Sequence, residues 1–272
     1  MKTRLDAELV RRELARSRES AVELITAGKV LVNGIPATKA ASQVDAQISI
    51  TLKDEQAEFV SRGGHKLAGA LDYFSNLTVE GKVALDAGAS TGGFTDVLLK
   101  RGVKKVVAAD VGYGQLAWQL QSDDRVKILD RVNVRSLTKQ QVGDEIDLVV
   151  ADLSFISLKL VLPALIEVAK EDADFLVMVK PQFEVGKEKL GAGGVVRDSH
   201  LRKEAVAAVA DVAFSLGLGC LGVVASPLPG PSGNVEYFLW LSKAGKALLE
   251  VDLDLAIEKG PARIRLLKPF YL

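Results

Sequence analysis

The stretch Val83-Ala-Leu-Asp-Ala-Gly-Ala-Ser-Thr-Gly-Gly-Phe94 decides the fold. Its first residues form a short apolar run, which empties into glycines and then into the amphipathic segment GGFTDVLLKRG. A buried strand, a glycine turn and a helix start therefore follow one another. Such a turn presents backbone N–H groups and lets a ligand approach closely. The spacing departs from the dinucleotide fingerprint, because Ser90 stands where the second glycine belongs. The strand instead carries Asp86 beside the turn, an acid that suits a positively charged ligand and repels a pyrophosphate. Asp110 ends the next strand, KKVVAAD, placed to bind ribose hydroxyls. The same residues also admit a structural role, with the glycines easing helix–strand packing and the acids capping strands. Both acids together with the glycine pair favour a cofactor.

Outward from this turn the alternation continues. LAGALDYF precedes it as a helix; GQLAWQLQ, residues 159–170 and residues 199–216 follow it as helices. Between them RVKILD, IDLVVAD, FLVMVK, LGVVAS and VEYFLWLS read as strands. Short apolar strands alternating with helices predict an α/β, doubly wound, Rossmann-like domain with an antiparallel final strand. The first part of the chain reads differently. Two short helices, about 5–14 and 18–27, are followed by the strands KVLVNG and QISITL; Ser17 caps the second helix and Gly28 stops it. The expected organisation is a small α+β domain at 1–58, a linker at 59–64 and the α/β domain at 65–272.

Composition narrows the function. With 272 residues, 48% of them hydrophobic and 26% charged, the chain is neither disordered nor collagen-like. Basic and acidic residues balance at 35 each, so a nucleic-acid partner has to be argued from local charge. A single cysteine, Cys220, excludes an internal disulfide and a cysteine-based zinc site. The two histidines, His65 and His200, are far apart and predict no metal. The N-terminal segment lacks the pattern of a signal peptide. Val212 to Val235 is uncharged and long enough to span a bilayer, yet five glycines and three prolines interrupt it. Each proline would cost a helix about 3 kcal/mol, so the segment reads as helix end, strand and loop.

DAGASTGGFT followed by VVAADVGYGQL resembles the S-adenosylmethionine site of FtsJ-like methyltransferases. With PLPGPSGNVEYFLWL, the chain is similar from Arg4 to about Leu241 to the TlyA family of ribosomal RNA 2′-O-methyltransferases, also labelled hemolysins. The resemblance implies that Asp86, Gly88, Ser90, Gly92 and Gly93 line the methionine side of the cofactor and Asp110 its ribose. It puts Asn133 and Asp152 around adenine and methyl. Phe155 is a further cofactor contact or a core phenylalanine. The family's catalytic tetrad maps onto Lys66, Asp152, Lys180 and Glu236. Position supports two of these independently: Asp152 ends IDLVVAD and Lys180 ends FLVMVK, both at the carboxyl edge where α/β sheets bind ligands. A ribose hydroxyl is a poor nucleophile, and an amine taken out of water is suited to accept its proton. Lys66 also reads as a solvated helix-start lysine, and Glu236 as an edge-strand carboxylate. Cytosine C5 chemistry would need a cysteine with a supporting motif, and amino-group methylation usually shows prolines where Leu153-Ser154-Phe155 stand.

RLDAELVRRELARSRESAVELITAGKVLVNG resembles the S-four-type RNA-binding domain. Between Met1 and Lys39 there are eight basic and five acidic side chains, a local excess that either a solvated face or an RNA surface would show. The resemblance favours RNA, with Arg4, Arg16, Arg18 and Lys39 as contacts and Arg62, Arg131 and Arg135 extending the set in the second domain. The glycine-rich loop at 182–194 is a mobile segment that orders on RNA, or a plain connection. The expectation is a cytoplasmic enzyme that methylates cytidine ribose in large-subunit RNA. The family resemblance implies small-subunit RNA as well for members with the longer N-terminal end, and the full MKTRLDAEL segment favours that dual-substrate type. Its partner would be ribosomal RNA within the subunits, without metal or membrane, and a monomer would suffice. The rival readings are a non-catalytic ribosome-assembly factor and a membrane-active hemolysin.

Overall fold

A computed structural model describes residues 2–12, 14–15, 17–33, 35–45, 48, 50–52 and 58–260. The chain divides into two compact units, Met1–Glu58 and Phe59–Leu272. The first holds β1 (Lys2–Arg4), α1 (Leu5–Arg11), α2 (Arg18–Thr26), β2 (Val30–Val32), β3 (Ile35–Pro36), β4 (Gln43–Asp45) and β5 (Ile50–Leu52). Ser17 caps α2 by accepting a hydrogen bond from Ser20 N at 3.2 Å. β2 lies between β3 and β5, antiparallel to both, and β1 pairs with β4. Strands of two or three residues carry no periodicity, so β1, β3 and β4 are absent from the sequence reading. Leu5, Leu9, Ala21, Ile25 and Val30 form the core of this unit.

Two acids are buried in that first unit, and arginines clasp both. Asp6 accepts from Arg4 at 2.8 Å and from Arg18 at 3.0 Å. The bond from Arg4, helped by Arg18, holds Asp6 well below the usual carboxylate range. Glu8 accepts from Arg11 at 2.7 Å and from Arg12 at 2.8 Å, and these bonds lower its pKa to about 2.

The second unit contains α3 (Arg62–Tyr73), β6 (Val83–Ala87), α4 (Gly93–Lys100), β7 (Lys105–Ala109), α5 (Trp118–Gln121), β8 (Val126–Leu129), α6 (Lys139–Val142) and β9 (Ile146–Ala151). It continues with α7 (Leu162–Val168), β10 (Ala169–Val179), α8 (Ser199–Ser215), β11 (Gly219–Ala225), β12 (Tyr237–Ser242) and α9 (Glu250–Lys259). The seven strands run in the order β11-β12-β10-β9-β6-β7-β8. β12 is antiparallel to both its neighbours, while β10 to β8 are parallel. Side chains alternate between two covered faces. Phe175, Val177 and Leu239 pack with α7, α8 and α9, and Leu176, Met178 and Phe238 pack with α3 and α4. Burial of each such side chain stabilises the fold by about 1.5–3 kcal/mol.

Several expectations change here. Residues 59–64 are not a connector, because Phe59 is buried in the core and α3 already begins at Arg62. The helix expected over 159–170 ends at Val168, and Ala169 begins an eleven-residue strand. GQLAWQLQ shortens to the single turn of α5. α6 and α9 form in segments the sequence reading left unassigned. Val212–Val235 divides into the end of α8, β11 and a loop. Among the described residues, no helix is long and apolar enough to cross a membrane.

Candidate active site

Register brings the polar strand ends to one edge. Ala87 pairs with Ala109 and with Ala151, and Ala151 with Val177. Asp86, Asp110, Asp152 and Lys180 thus sit at neighbouring strand tips. Because β12 runs the other way, its first residue Tyr237 pairs with Val179. Glu236 therefore reaches the same edge from the far end of the chain.

A cleft of about 440 Å³ runs along this edge, lined by Gly88, Ser90, Asp110, Asn133, Asp152 and Phe155 among others. A polar cavity of about 170 Å³ shares Gly88, Ser90, Asp152 and Ser154 with it and adds Ser61, Lys180 and the start of α4. A third cavity, about 420 Å³ between α3, β11 and α9, holds none of the predicted site residues.

The turn after β6 is built for close approach. Gly88 has φ +88°, and a Cβ there would stand 2.7 Å from the Asp152 carbonyl oxygen. Ser90 takes a left-handed φ of 46° and donates its N–H to Asp110 Oδ2 at 2.9 Å. Gly112 N donates to the other Asp110 oxygen at 2.7 Å. Gly93 meets a different need, since a Cβ there would lie 2.7 Å from Gly64 N and separate α3 from α4. Packing and ligand approach thus each claim a glycine.

Asp86 is fully buried. Its Oδ2 accepts from Thr95 Oγ1 at 2.7 Å, while Oδ1 has no hydrogen-bond partner among the described residues. Burial, reinforced by the nearby Asp152 and Asp110 carboxylates, raises its pKa to about 7. An orphaned carboxylate oxygen beside a glycine turn, with a second acid at the next strand tip, fits a ligand that carries a cation and a ribose. S-adenosylmethionine has both.

Two lysine–carboxylate pairs complete the edge. Lys180 is 8% exposed; its Nζ lies 2.6 Å from Asp152 Oδ1 and donates to Ser154 Oγ at 2.9 Å. The serine bond is the well-aligned one, and the contact with Asp152 is an ion pair without hydrogen-bond alignment. Lys66 pairs with Glu236 at 2.5 Å, both buried, and Glu236 Oε1 keeps no hydrogen-bond partner among the described residues. Lys66 is thus not a solvated lysine. Glu236 is not at a sheet edge either, because β11 lies outside β12.

Other predicted residues land unevenly. Phe155 is 91% exposed, not a core side chain, and it holds a left-handed φ of 63° beside Phe183, ring centroids 5.3 Å apart. Asn133 lines the large cleft, with Oδ1 occupied by Arg135 N at 3.0 Å. Arg62, Arg131 and Arg135 are exposed; Arg62 donates to Pro229 O at 3.2 Å and Arg131 stacks on Tyr113 at 4.3 Å. In the first unit Lys39 is exposed, and the heads of Arg4 and Arg18 share Asp6. Arg16 lies outside the described residues. Burial pushes the Cys220 thiol up to about 11, which is unsuited to a nucleophile. Among the described residues, no group of three or more metal-ligating side chains is found.

Sequence reasoning missed Ser154, Thr95, Glu184 and Asn234. Asn234 is buried; it accepts from Val196 N at 2.9 Å and donates to Gly194 O at 3.0 Å, so the end of the glycine loop is fastened. Nothing in the local sequence marks these residues, because their partners lie 9 to 40 positions away.

Both units of the chain resemble known protein families. Residues 59–243 match the model of FtsJ-like methyltransferases, and residues 3–47 that of the S4 domain. The 16S/23S rRNA (cytidine-2′-O)-methyltransferase TlyA of Mycobacterium tuberculosis is 58% identical, over 96% of this chain and 99% of that one. The 23S rRNA (cytidine-2′-O)-methyltransferase TlyA of Campylobacter jejuni is 31% identical, over 86% and 97%. A solved structure of a hemolysin-named protein from Streptococcus thermophilus superimposes with a TM-score of 0.73 at 37% identity, covering 95% of each chain.

Proposed function

The chain belongs to the FtsJ-like methyltransferase family, and from that membership we propose that it methylates ribose 2′-hydroxyls of cytidines in ribosomal RNA, with Lys66, Asp152, Lys180 and Glu236 as the catalytic group. S-adenosylmethionine, when bound, supplies an electrophilic methyl group on a sulfonium. Asp86, Gly88, Ser90, Gly92 and Gly93 would hold its amino-acid end, Asp110 its ribose, and Asn133, Asp152 and Phe155 the adenine and methyl region.

The chain's own contribution is to ready the oxygen. One observation carries this reading: Lys180 Nζ, nearly out of water, is held by Asp152 and Ser154 at the wall of the polar cavity. A lysine head has at most three N–H positions; Ser154 takes one, and Asp152 faces the same head as an ion pair without an aligned hydrogen bond. Room on the head is left for the hydroxyl: the charged amine donates an N–H to the 2′-oxygen and stabilises the negative charge that develops there, while a neutral amine would instead accept the hydroxyl proton on its lone pair. Asp152 balances the charge on the amine. Lys66 and Glu236 hold the neighbouring strand tip and supply a second ion pair near the sugar and its phosphate.

The S4 domain is the RNA grip in this reading, with Arg4, Arg16, Arg18 and Lys39 on phosphates and Arg62, Arg131 and Arg135 serving the catalytic unit. Greater likeness to the mycobacterial relative, named for both subunits, than to the Campylobacter one, named for 23S rRNA, supports methylation of both subunits. Such a substrate implies a cytoplasmic enzyme. The test is mass mapping of 2′-O-methyl groups on purified 30S and 50S subunits. Wild type adds one group per target cytidine; Lys180→Ala adds none at matched time. Equal methylation by the variant would overturn the mechanism. Ribosome binding without any methyl transfer by wild type would favour an assembly factor.

A further inference from the structure

The two loops that leave the active edge after β9 and after β10 are tied together behind the site. Glu184 makes the tie. Its side chain is 1% exposed, although it lies four residues past Lys180 on an outward-going turn. Oε2 accepts from Ser157 Oγ at 2.5 Å and Oε1 from Leu158 N at 2.8 Å. Ser157 Oγ in turn accepts from Lys159 N at 3.2 Å, and Lys159 Nζ stands 3.7 Å from Oε2. A carboxylate from one loop therefore caps the one-turn helix Leu158–Leu160 in the other.

What lies between this cap and β9 matters for chemistry. Residues 153–156 line the cofactor cleft, and Ser154 supplies the aligned hydrogen bond to Lys180. Phe155 sits among them at φ 63°, a backbone conformation that a bulky residue adopts rarely and keeps only when its surroundings hold it. The segment is pinned at one end by Asp152 N donating to Ala87 O at 3.1 Å, and at the other by Glu184. Burial pushes the Glu184 carboxyl up from its ordinary value, against the pull of Ser157 and Leu158. Water could satisfy a carboxylate with less constraint, so its placement here secures the loop.

We infer that Glu184 is a positioning residue that keeps the 153–158 loop in its strained form, so that Ser154 aims the Lys180 amine at the substrate hydroxyl. Without it, the left-handed turn at Phe155 relaxes, Ser154 swings away and Lys180 is left to Asp152 alone. This rests on the reading of Lys180 as the group that meets the hydroxyl.

The test measures kcat and KM on ribosomal subunits at saturating cofactor, with melting temperature recorded for each variant. Glu184→Ala is expected to lower kcat about tenfold or more, since small misplacements of a reacting group are costly. Glu184→Gln keeps an acceptor for Leu158 N and should recover most of that rate. In a Ser154→Ala background the Glu184→Ala loss should shrink below about threefold, because the two act on the same amine. Wild-type kcat in Glu184→Ala, equal loss in the Gln variant, or full additivity with Ser154→Ala would each overturn the proposal. Should Glu184→Ala fail to fold, Ser157→Ala removes the hydroxyl that donates to Glu184 and accepts from Lys159 N, and leaves the Leu158 bond to Glu184 in place; unchanged kcat there would overturn it equally. Lys180→Ala run alongside separates the two readings. An inactive Lys180→Ala beside a fully active Glu184→Ala sinks the positioning role alone, and a fully active Lys180→Ala sinks both.

Discussion

In the first unit Asp6 and Glu8 lie out of water, each gripped by two arginines, and their pKa values fall. In the second unit Asp86 and Glu236 are buried as deeply, yet each keeps an oxygen with no hydrogen-bond partner among the described residues, and the pKa of Asp86 rises. The first arrangement is complete without a ligand. The second leaves a desolvated oxygen that costs about 1–3 kcal/mol until something satisfies it. Burial of a carboxylate is therefore no guide to function by itself; a buried carboxylate with an unfilled oxygen beside the cleft is a candidate ligand contact.

This contrast can be broken most directly at Lys180. Lys180→Ala should cut methyl transfer by about 10³-fold while the melting temperature stays close to wild type, as assayed on purified subunits. A comparable loss from Arg11→Ala, at an equally well-made ion pair of the first unit, would erase the distinction. The glycines give the next largest effect. Gly88→Ala sets a methyl group against the Asp152 carbonyl and should weaken cofactor binding at least about tenfold by calorimetry. Gly28→Ala has the same sign of φ with nothing within 4 Å, so it should cost only about 1 kcal/mol of stability and leave cofactor affinity alone.

The pH responses should run in opposite directions. A cationic ligand prefers ionised Asp86, whose pKa near 7 leaves it largely protonated in mildly acidic solution. Cofactor affinity should thus fall about tenfold between about pH 8 and about pH 6, and Asp86→Asn should abolish that slope. For stability the sign reverses. A raised pKa makes the folded state hold a proton that the unfolded chain has lost, so the Asp86 contribution is full below about pH 4 and is lost as pH rises through 7. Asp6 and Glu8 have lowered values, so their contribution is full at neutral pH. It fades only as pH falls from about 4 towards 2, readable as an acid-limb loss of helicity. The smallest effect belongs to the exposed cations. Lys39→Ala should weaken RNA binding a few-fold regardless of sequence and lower the salt slope by about one.

Much of the catalytic unit was legible because its strands are apolar on both faces, and a polar residue that closes such a strand stands out. Asp86, Asp110, Asp152 and Lys180 are all of that kind. Lys66 and Glu236 are not, because their pairing joins residues 170 positions apart and neither has a local mark. Resemblance supplied them, and the structure shows them in contact. Phe155 was ambiguous for the opposite reason: an aromatic residue close to Leu153 and Ile156 reads as core, whereas it stands at a left-handed turn and is exposed to solvent. Glu184 and Ser154 were illegible, since what they do is defined by the loop they meet. In the first unit, Ser17 and Gly28 marked α2 through cap chemistry, whereas β1 and β3 are too short to leave a pattern.

β12 is the last strand among the described residues, yet it enters the sheet between β10 and β11 rather than at its rim. Until it is in place, β11 has no strand to join, and Lys66 waits for a carboxylate that has not been synthesised. In the order of translation, the handshake between an early lysine and a late glutamate comes after all the parallel strands, and among the described elements only α9 follows β12. A partly made chain, however well its first five parallel strands have set, is an enzyme without its final key.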